Sequence, residues 1–326
     1  MEKKKYDVYG IANALVDFSV KVDDALLKEF NLVKGRFHQI DEVQSKAILE
    51  RIRYVEAKIS AGGSAANAVA TIAMLGGKAA HFSKIGDDEY GASYEKETQE
   101  AGVDSKLKKS PYITGHCIVL MTPDAERTFV VNYGASIMIT PEEISEEEIK
   151  TSKILHIDSY EIDSPELKPI CIHAFEYAKK HKTKVSLDLS DPGVVQRNKE
   201  ELKNIIKTYV DIVFANEEEA FQLTGKDAEA ACDEIAQWCG TAIVKLGAQG
   251  SIIKTKDKKV RINAVKTIVV DTTGAGDAYA AGFLYGMSHD LSLEESGNLA
   301  SLLGAKVVSQ IGARLTPEMI KKILEK

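Results

Sequence analysis

Little in this sequence staples, interrupts or anchors the chain: it has four cysteines, seven prolines and one tryptophan in 326 residues. Cys117, Cys171, Cys232 and Cys239 form no CxxC pair and no partnered histidine pattern. That excludes a disulfide framework and a zinc ribbon and reads as reduced core thiols. No apolar run approaches the roughly 18 residues needed to cross a bilayer, and the N-terminus has no apolar signal segment. The expectation is a cytoplasmic protein with no membrane partner. Lys and Arg number 42 against 49 Asp and Glu, a net charge of -7, whereas a nucleic-acid partner needs a concentrated basic face. The Lys3, Lys4, Lys5 cluster reads as a solvated leader. There is no repeat, low-complexity tract or Pro/Gly linker. The Walker A pattern GxxxxGK[ST] is absent, and no GxGxxG follows the first strand, which speaks against a P-loop ATPase and a Rossmann dehydrogenase.

What is present is ordinary globular material, 44% hydrophobic and 28% charged. Length alone suggests two units of about 150 residues. Area scaling gives roughly 13,000 Å² folded against about 52,000 Å² open, enough burial for a large core. The stretches 6–14, 79–86, 153–158, 184–190, 211–216 and 241–247 read as strands. Helical patterns at 61–77, 89–102, 165–181, 198–209, 218–225 and 228–239 lie between or beside them, which implies a largely parallel three-layer α/β sheet. Two further helices close the chain at 271–287 and 292–311, the second opening on the capping box Ser292-x-x-Glu295. Other β-prone pieces, around 15–22, 34–40, 55–60 and 110–131, come from insertions and suit a small sheet acting as a lid.

The sharpest chemical signal is DTTGAGD, 271–277, between the β-rich run KTIVV (266–270) and a helix of small residues. Gly274 and Gly276 permit close approach and positive φ, and the turn presents backbone N–H groups at a helix N-terminus, a ready anion site. Asp277 in that first turn is either a cap favoured by the helix dipole or a base aimed at a substrate hydroxyl. A phosphate held by amides beside a carboxylate is equipment for phosphoryl transfer.

DTTGAGDA resembles the C-terminal signature of the PfkB/ribokinase family of carbohydrate and nucleoside kinases. GGSAANAVATIAMLGGKAAHFSKIGDDEYG (62–91) resembles its N-terminal signature. The resemblance runs over nearly the whole chain. It implies one ribokinase-like chain over 1–326, an α/β/α sandwich with a mostly parallel sheet and a small β lid built from about 15–60 and 108–131. By that resemblance Asp277 is the catalytic base and the amides of Gly274, Ala275 and Gly276 form the anion hole. Asp17, Gly62, Gly63 and Asn67 would hold the acceptor's sugar hydroxyls, with Asn13 adding a contact as in adenosine-kinase-like members. Asn216 and Glu219 resemble an NxxE motif whose Glu orders Mg²⁺ through water; they also fit a capping box, and both can hold at once. Lys245, Gly247 and Gly250 resemble the strand-turn beside the ATP, Gly250 also fitting a plain hairpin turn, and Thr273 belongs to the same nucleotide side. Arg127 would reach the transferring phosphate from the lid, or is an exposed lid arginine. Asn298 and Gly312-Ala313 fall where the family closes over adenine, with Asp271 a ligand of a monovalent cation such as K⁺ in members that take one. Asp188 would face the same crevice.

The acceptor is legible only as a class. Segments 22–35 and 187–195 resemble adenosine kinase and its bacterial relatives. Tyr160 sits where a nucleoside-binding member presents an aromatic to the base, although a strand-end aromatic also serves packing. Phe37 and Gln39 fall in the segment lining that pocket. Gln39 stands where animal adenosine kinases commonly carry an apolar residue, which suits a 6-oxo purine or a plain sugar as well. The expected activity is ATP- and Mg²⁺-dependent transfer to a primary hydroxyl of a ribosyl-type acceptor, a nucleoside ahead of a sugar such as ribose or fructose. A catalytically silent nucleotide-binding regulator and a dinucleotide oxidoreductase are the alternatives from other classes. A monomer and a homodimer paired through the lid edge are equally consistent with the sequence.

Overall fold

The computed structural model describes residues 4–325 apart from Ala125. In chain order its strands are β1 Tyr6–Ile11, β2 Leu15–Lys21, β3 Phe37–Gln39, β4 Ala57–Gly62, β5 Ala79–Phe82, β6 Lys84–Gly86, β7 Asp104–Ser105, β8 Lys108–Ser110, β9 Gly115–Met121, β10 Arg127–Asn132, β11 Ser152–Asp158, β12 Lys184–Asp188, β13 Ile212–Asn216, β14 Thr241–Lys245, β15 Ser251–Thr255 and β16 Lys259–Ile262. Nine of them form one sheet in the order β16-β15-β14-β13-β12-β11-β1-β5-β7. Every pairing from β14 to β7 is parallel, and only β15 and β16 add on antiparallel.

Both faces of this sheet are apolar, as a parallel sheet covered by helices on two sides requires. Alternate residues of one strand therefore enter different cores. Leu155, Val213 and Ala215 pack with Phe175, Leu202 and Ile235 on one side. Ile154, Ile212 and Phe214 pack with Val69, Ile72 and Phe283 on the other. This is a ribokinase-like three-layer α/β/α sandwich.

The chain order reverses beside β1, since β5 follows on one side of it and β11 lies on the other. Open α/β sheets bind ligands in the crevice at such a switch point, outside the carboxyl ends of the strands. Asn13 follows β1, Asp158 ends β11, Asp188 ends β12, Asn216 ends β13 and Lys245 ends β14, so the polar residues fall at one edge of the sheet. In register Asp158 pairs with Asp188 and Asn216 with Lys245.

A second sheet, β3-β10-β9-β2-β4, is built from the pieces around 15–62 and 115–132. Its strands alternate. Val16, Phe18, Val20, Ile118, Leu120 and Val130 pack under the short helices Asp24–Glu29 and Glu42–Ile52 through Leu26, Leu27, Ile48 and Ile52. Leu15, Phe37, Cys117, Val119, Phe129 and Val131 take the opposite face. β6 and β8 form a separate two-stranded ribbon.

Several expectations are corrected. KTIVV, expected to be β-rich, is not a strand: β-propensity needs a neighbour to pair with, and this segment runs along the helix Leu293–Val307, with Val270 N–H on Val308 O at 2.7 Å and Val265 N–H on Ser301 Oγ at 3.3 Å. The helix expected from 271 begins at Ala275, and 79–86 is two strands, β5 and β6. The lysine leader is not wholly solvated. Lys3 lies outside the described residues, but Lys4 Nζ donates to Lys150 O at 2.6 Å and Lys5 pairs with Glu148 at 3.3 Å, tying the chain start to the short helix Glu146–Lys150 that precedes β11. The four cysteines are free thiols, three of them buried. Among the described residues no helix is long and apolar enough to cross a membrane.

Candidate active site

A cavity of about 1400 Å³ lies between the apolar face of the second sheet and the carboxyl ends of the first. Pockets for one small ligand are about 300–1,000 Å³, so this one has room for two molecules side by side.

Its centre is the turn before the helix Ala275–Ser288. Gly274 has φ 75°, and a Cβ there would strike Ala313 O, so only glycine fits. Gly274, Ala275 and Gly276 all line the cavity, although the Ala275 amide is drawn back onto Thr272 O at 3.2 Å. The helix start gathers N–H groups without intrahelical acceptors, an anion site in waiting. Lys245 Nζ stands against this turn, only 2.9 Å from where a Gly276 Cβ would be. Burial works against its charge, but Asp188, at 3.2 Å, and Glu219 outweigh burial and raise its pKa, so the ammonium is permanent.

Asp277 sits in the first helical turn with its carboxylate facing the cavity rather than capping the turn. Oδ1 accepts from Ser64 Oγ at 2.7 Å and Oδ2 from Asn67 Nδ2 at 2.9 Å. Burial pushes its pKa up to about 7, against the lowering effect of those two donors. A carboxyl poised there takes a proton efficiently near neutral pH.

Around Asp277 the acceptor-side residues converge. Gly63, with φ 92°, turns the chain into the helix Ser64–Met74, and Asp17 lies flat across Gly62, where a Cβ would collide with its carboxylate. Burial raises the Asp17 pKa to about 7, with Arg314 opposing and Asp277 reinforcing the rise. Asn13 is buried, and both its backbone N–H and its Nδ2 donate to Glu161 Oε1 at 2.8 Å. Its Oδ1 has no partner among the described residues, so its free capacity in the cavity wall is that of an acceptor. Phe37 and Tyr160 stack at 5.2 Å with an interplanar angle of 26°, and both line the cavity beside the apolar sheet face. Gln39 does not join them. It is exposed and outside the lining, beside Val131 in register.

The part of the lining expected to take the nucleotide consists of Asn216, Glu219, Lys245, Gly247, Gly250 and Thr273, with Ser301, Gly304 and Ala305 from one face of the helix Leu293–Val307 and its cap Val308. Asn298 falls one turn before that face, is exposed and takes no part in the lining. Asn216 and Glu219 do form a reciprocal capping box, Glu219 accepting from Asn216 N–H at 2.7 Å and Nδ2 at 2.6 Å. Burial raises the Glu219 pKa. No group of three or more His, Cys, Asp or Glu among the described residues can hold a metal ion. With both Glu219 oxygens engaged, the residues fit a divalent cation carried by phosphates and reached through water, and do not fit a protein-ligated metal.

Arg127 and Asp271 meet each other. Arg127 Nε lies 3.0 Å from Asp271 Oδ1, linking β10 of the second sheet to the start of the anion turn. Asp271 also accepts from Thr273 N–H and Gly312 N–H, both at 2.9 Å, and lies outside the cavity lining. A carboxylate engaged by a guanidinium and two amides does not fit a monovalent cation as a further ligand. Sequence reasoning missed Ser64, Asp158, Glu161 and Arg314. Asp158 could have been found as Asp188 was, as a carboxylate ending a strand.

The chain matches the pfkB family carbohydrate kinase profile over residues 39–319. Its fold superposes on adenosine kinase from Sinorhizobium meliloti with a TM-score of 0.91 and 34% identity, covering 98% of this chain and 99% of that one. A probable sugar kinase from Rhizobium etli CFN 42 superposes with a TM-score of 0.90 and 32% identity, over 98% and 99%. Adenosine kinase from Saccharomyces cerevisiae is 27% identical over 335 residues, 95% of this chain and 97% of that protein. Signature motifs, sheet order and relatives agree along the length of the molecule, and the chain belongs to the pfkB family of carbohydrate kinases as an ATP-dependent phosphotransferase.

Proposed function

We propose that the acceptor is a nucleoside, adenosine first, phosphorylated at its primary ribose hydroxyl. One observation carries this reading: the Phe37–Tyr160 stack shares a cavity with Asp277 and is backed by the apolar face of the second sheet. A free sugar offers such a pair only the C–H face of its ring, whereas a base stacks on it over a larger flat surface. The adenosine kinases among the relatives support the same choice.

In this mechanism Asp17 and Asn13 Oδ1 accept hydrogen bonds from the ribose hydroxyls, and Asn67 orients Asp277. Asp277 takes the proton of the primary hydroxyl as its oxygen forms a bond to the γ-phosphorus. The bond from that phosphorus to the β,γ-bridging oxygen breaks, and ADP leaves. Amides of the Gly274–Gly276 turn and the Lys245 ammonium stabilise charge on the transferring group. Glu219 would hold Mg²⁺ through water beside the nucleotide, and the ion would supply neutralisation of phosphate charge. The second sheet acts as a lid, tethered to the anion turn by Arg127, and keeps water from competing for the phosphoryl group.

The test is ADP release with Mg·ATP across adenosine, inosine, guanosine, cytidine, ribose and fructose, for the parent and for Tyr160→Ala. Turnover on a nucleoside, with KM for it raised about 10-fold in the variant and KM for ATP unmoved, is expected from the loss of about 1.4 kcal/mol of aromatic contact. Turnover confined to free sugars would overturn the acceptor and leave the chemistry standing.

A further inference from the structure

Asn67 presents an amide to the catalytic carboxylate, and an amide has two ends. If Oδ1 faced Asp277, two acceptors would oppose each other. If Nδ2 faces it, the carboxylate gains a donor. The side chain alone does not decide, because the two ends have nearly the same shape.

The decision is made from the far side. Arg314 Nε donates to Asn67 Oδ1 at 2.7 Å. A guanidinium has only donors, so it takes the oxygen end and leaves Nδ2 for Asp277 Oδ2 at 2.9 Å. The second arm of the same fork, Nη2, points to Gly62 O at 3.4 Å, a carbonyl that also accepts from Tyr94 Oη at 3.1 Å. The Arg314 guanidinium lies 5.8 Å from the centre of the Tyr94 ring, which keeps the fork in place. Gly62 is the residue across which Asp17 lies. One side chain thus backs Asn67, the Gly62 carbonyl and Asp17 while standing outside the cavity lining.

We propose that Arg314 is a positioning residue for the phosphoryl acceptor, fixing the Asn67 amide toward Asp277 and supplying the positive charge behind Asp17. This rests on the roles proposed above for Asp17, which accepts from the ribose hydroxyls, and for Asn67, which orients Asp277. Asp17 faces one cation, Arg314, and otherwise Asp277, Glu97, Tyr94 and Cys117, so among the described residues no other positive charge compensates it. Burial already disfavours its ionised form, and Arg314 opposes that effect.

The experiment is a pH titration of the Asp17 carboxyl by ¹³C NMR in protein carrying carboxyl-labelled aspartate, the resonance assigned by Asp17→Asn. Parent, Arg314→Met and Arg314→Lys are compared. Loss of a neighbouring guanidinium raises a carboxyl midpoint by about 1–3 pH units. The Met variant is therefore expected to titrate at least about one unit higher than the parent, and the Lys variant close to the parent. In parallel, the acid limb of kcat/KM for adenosine moves up by the same amount, a loss of about tenfold per unit on the acid side, while KM for ATP stays. An unchanged Asp17 midpoint in the Met variant would overturn the proposal. So would a moved midpoint with an unmoved acid limb. If the Met variant lacks a cooperative melt, Arg314→Gln carries the same titration. Absence of turnover in the parent on every acceptor would refute the nucleoside reading, and the NMR midpoints would still decide the role of Arg314.

Discussion

Replacing Asp277 with Asn should make the protein more stable and nearly inactive at the same time, and both effects follow from where the carboxyl sits. Burial moves its pKa from 3.8 to about 7. At pH 8 the group is ionised in the folded and unfolded chain alike, and the folded state carries the full cost of a charge it disfavours. Below pH 3.8 both states are protonated and the cost vanishes. The destabilising contribution therefore grows as pH rises from about 4 to about 7 and is constant above. Three pKa units at about 1.4 kcal/mol each bound it at about 4 kcal/mol. Because Asp277 is half-buried in the cavity lining, about half of that is expected, roughly 2 kcal/mol. The Asn side chain fits the same network: its Oδ1 accepts from Asn67 Nδ2, and the Ser64 hydroxyl reverses to accept from its NH₂. A chain of 326 residues has an unfolding entropy near ~0.7 kcal/mol/K, so ~2 kcal/mol is a rise of about 3 °C. Calorimetry should find Asp277→Asn melting about 3 °C above the parent at pH 8, with the gap narrowing below pH 7 and closing toward pH 4. In the same samples kcat should fall about 10²–10⁴-fold with ATP binding retained, since a general base has been lost. A variant no more stable than the parent at pH 8 would refute the burial argument. Undiminished turnover would refute the base.

The parent's kcat/KM should fall at least about tenfold per pH unit below about 7, because Asp277 must be ionised to accept a proton and Asp17 to accept from the acceptor's hydroxyls; a rate flat from pH 5 to 8 would contradict both assignments. Gly274→Ala should lose at least ~10²-fold in kcat, because its Cβ meets the backbone of Ala313 and displaces the amides, and calorimetric titration with ATP should register weaker binding. Arg127→Met removes the partner of a buried carboxylate and should lower the melting temperature by about 2–4 °C, a cost of ~1–3 kcal/mol. Glu219→Gln keeps most of the helix cap but removes the charge, so the Mg²⁺ concentration for half-maximal rate should rise several-fold, read from a metal titration at saturating ATP.

The sandwich was legible because its strands carry a pattern that local sequence expresses fully. Runs such as KILHID and DIVFAN are apolar at successive positions, as a strand covered on both faces must be, and helices of regular length separate them. KTIVV carries the same composition, yet it finds no strand edge and lies along a helix, a fact held by Ser301 and Val308 and by nothing within the segment. The helices Asp24–Glu29 and Glu42–Ile52 went unread as helices; the apolar side chains they bury, Leu26, Leu27, Ile48 and Ile52, meet Phe18, Ile118 and Leu120 on another part of the chain. In the site, Asp277, Asn67 and Gly274 were found through motifs. Asn298 and Gln39 were placed by position along a segment, and a shift of one helical turn or one strand residue is enough to leave the cavity. Arg314 and Glu161 bear no local mark, since each is defined by the amide it holds, some 247 and 148 positions away in sequence.

The hydrogen bonds that join Asp277 to Ser64 and Asn67, and Asn67 to Arg314, span residues 64 to 314. A nascent chain makes the glycine turn at 62–63 early, but it cannot complete the catalytic network until Arg314 has left the ribosome, because domains assemble as synthesis proceeds from the N-terminus. The Asn67 amide is therefore fixed toward Asp277 only once Arg314 has been made. A ribosome stalled before that codon would hold a chain with most of its sheet formed and its central amide still free to turn.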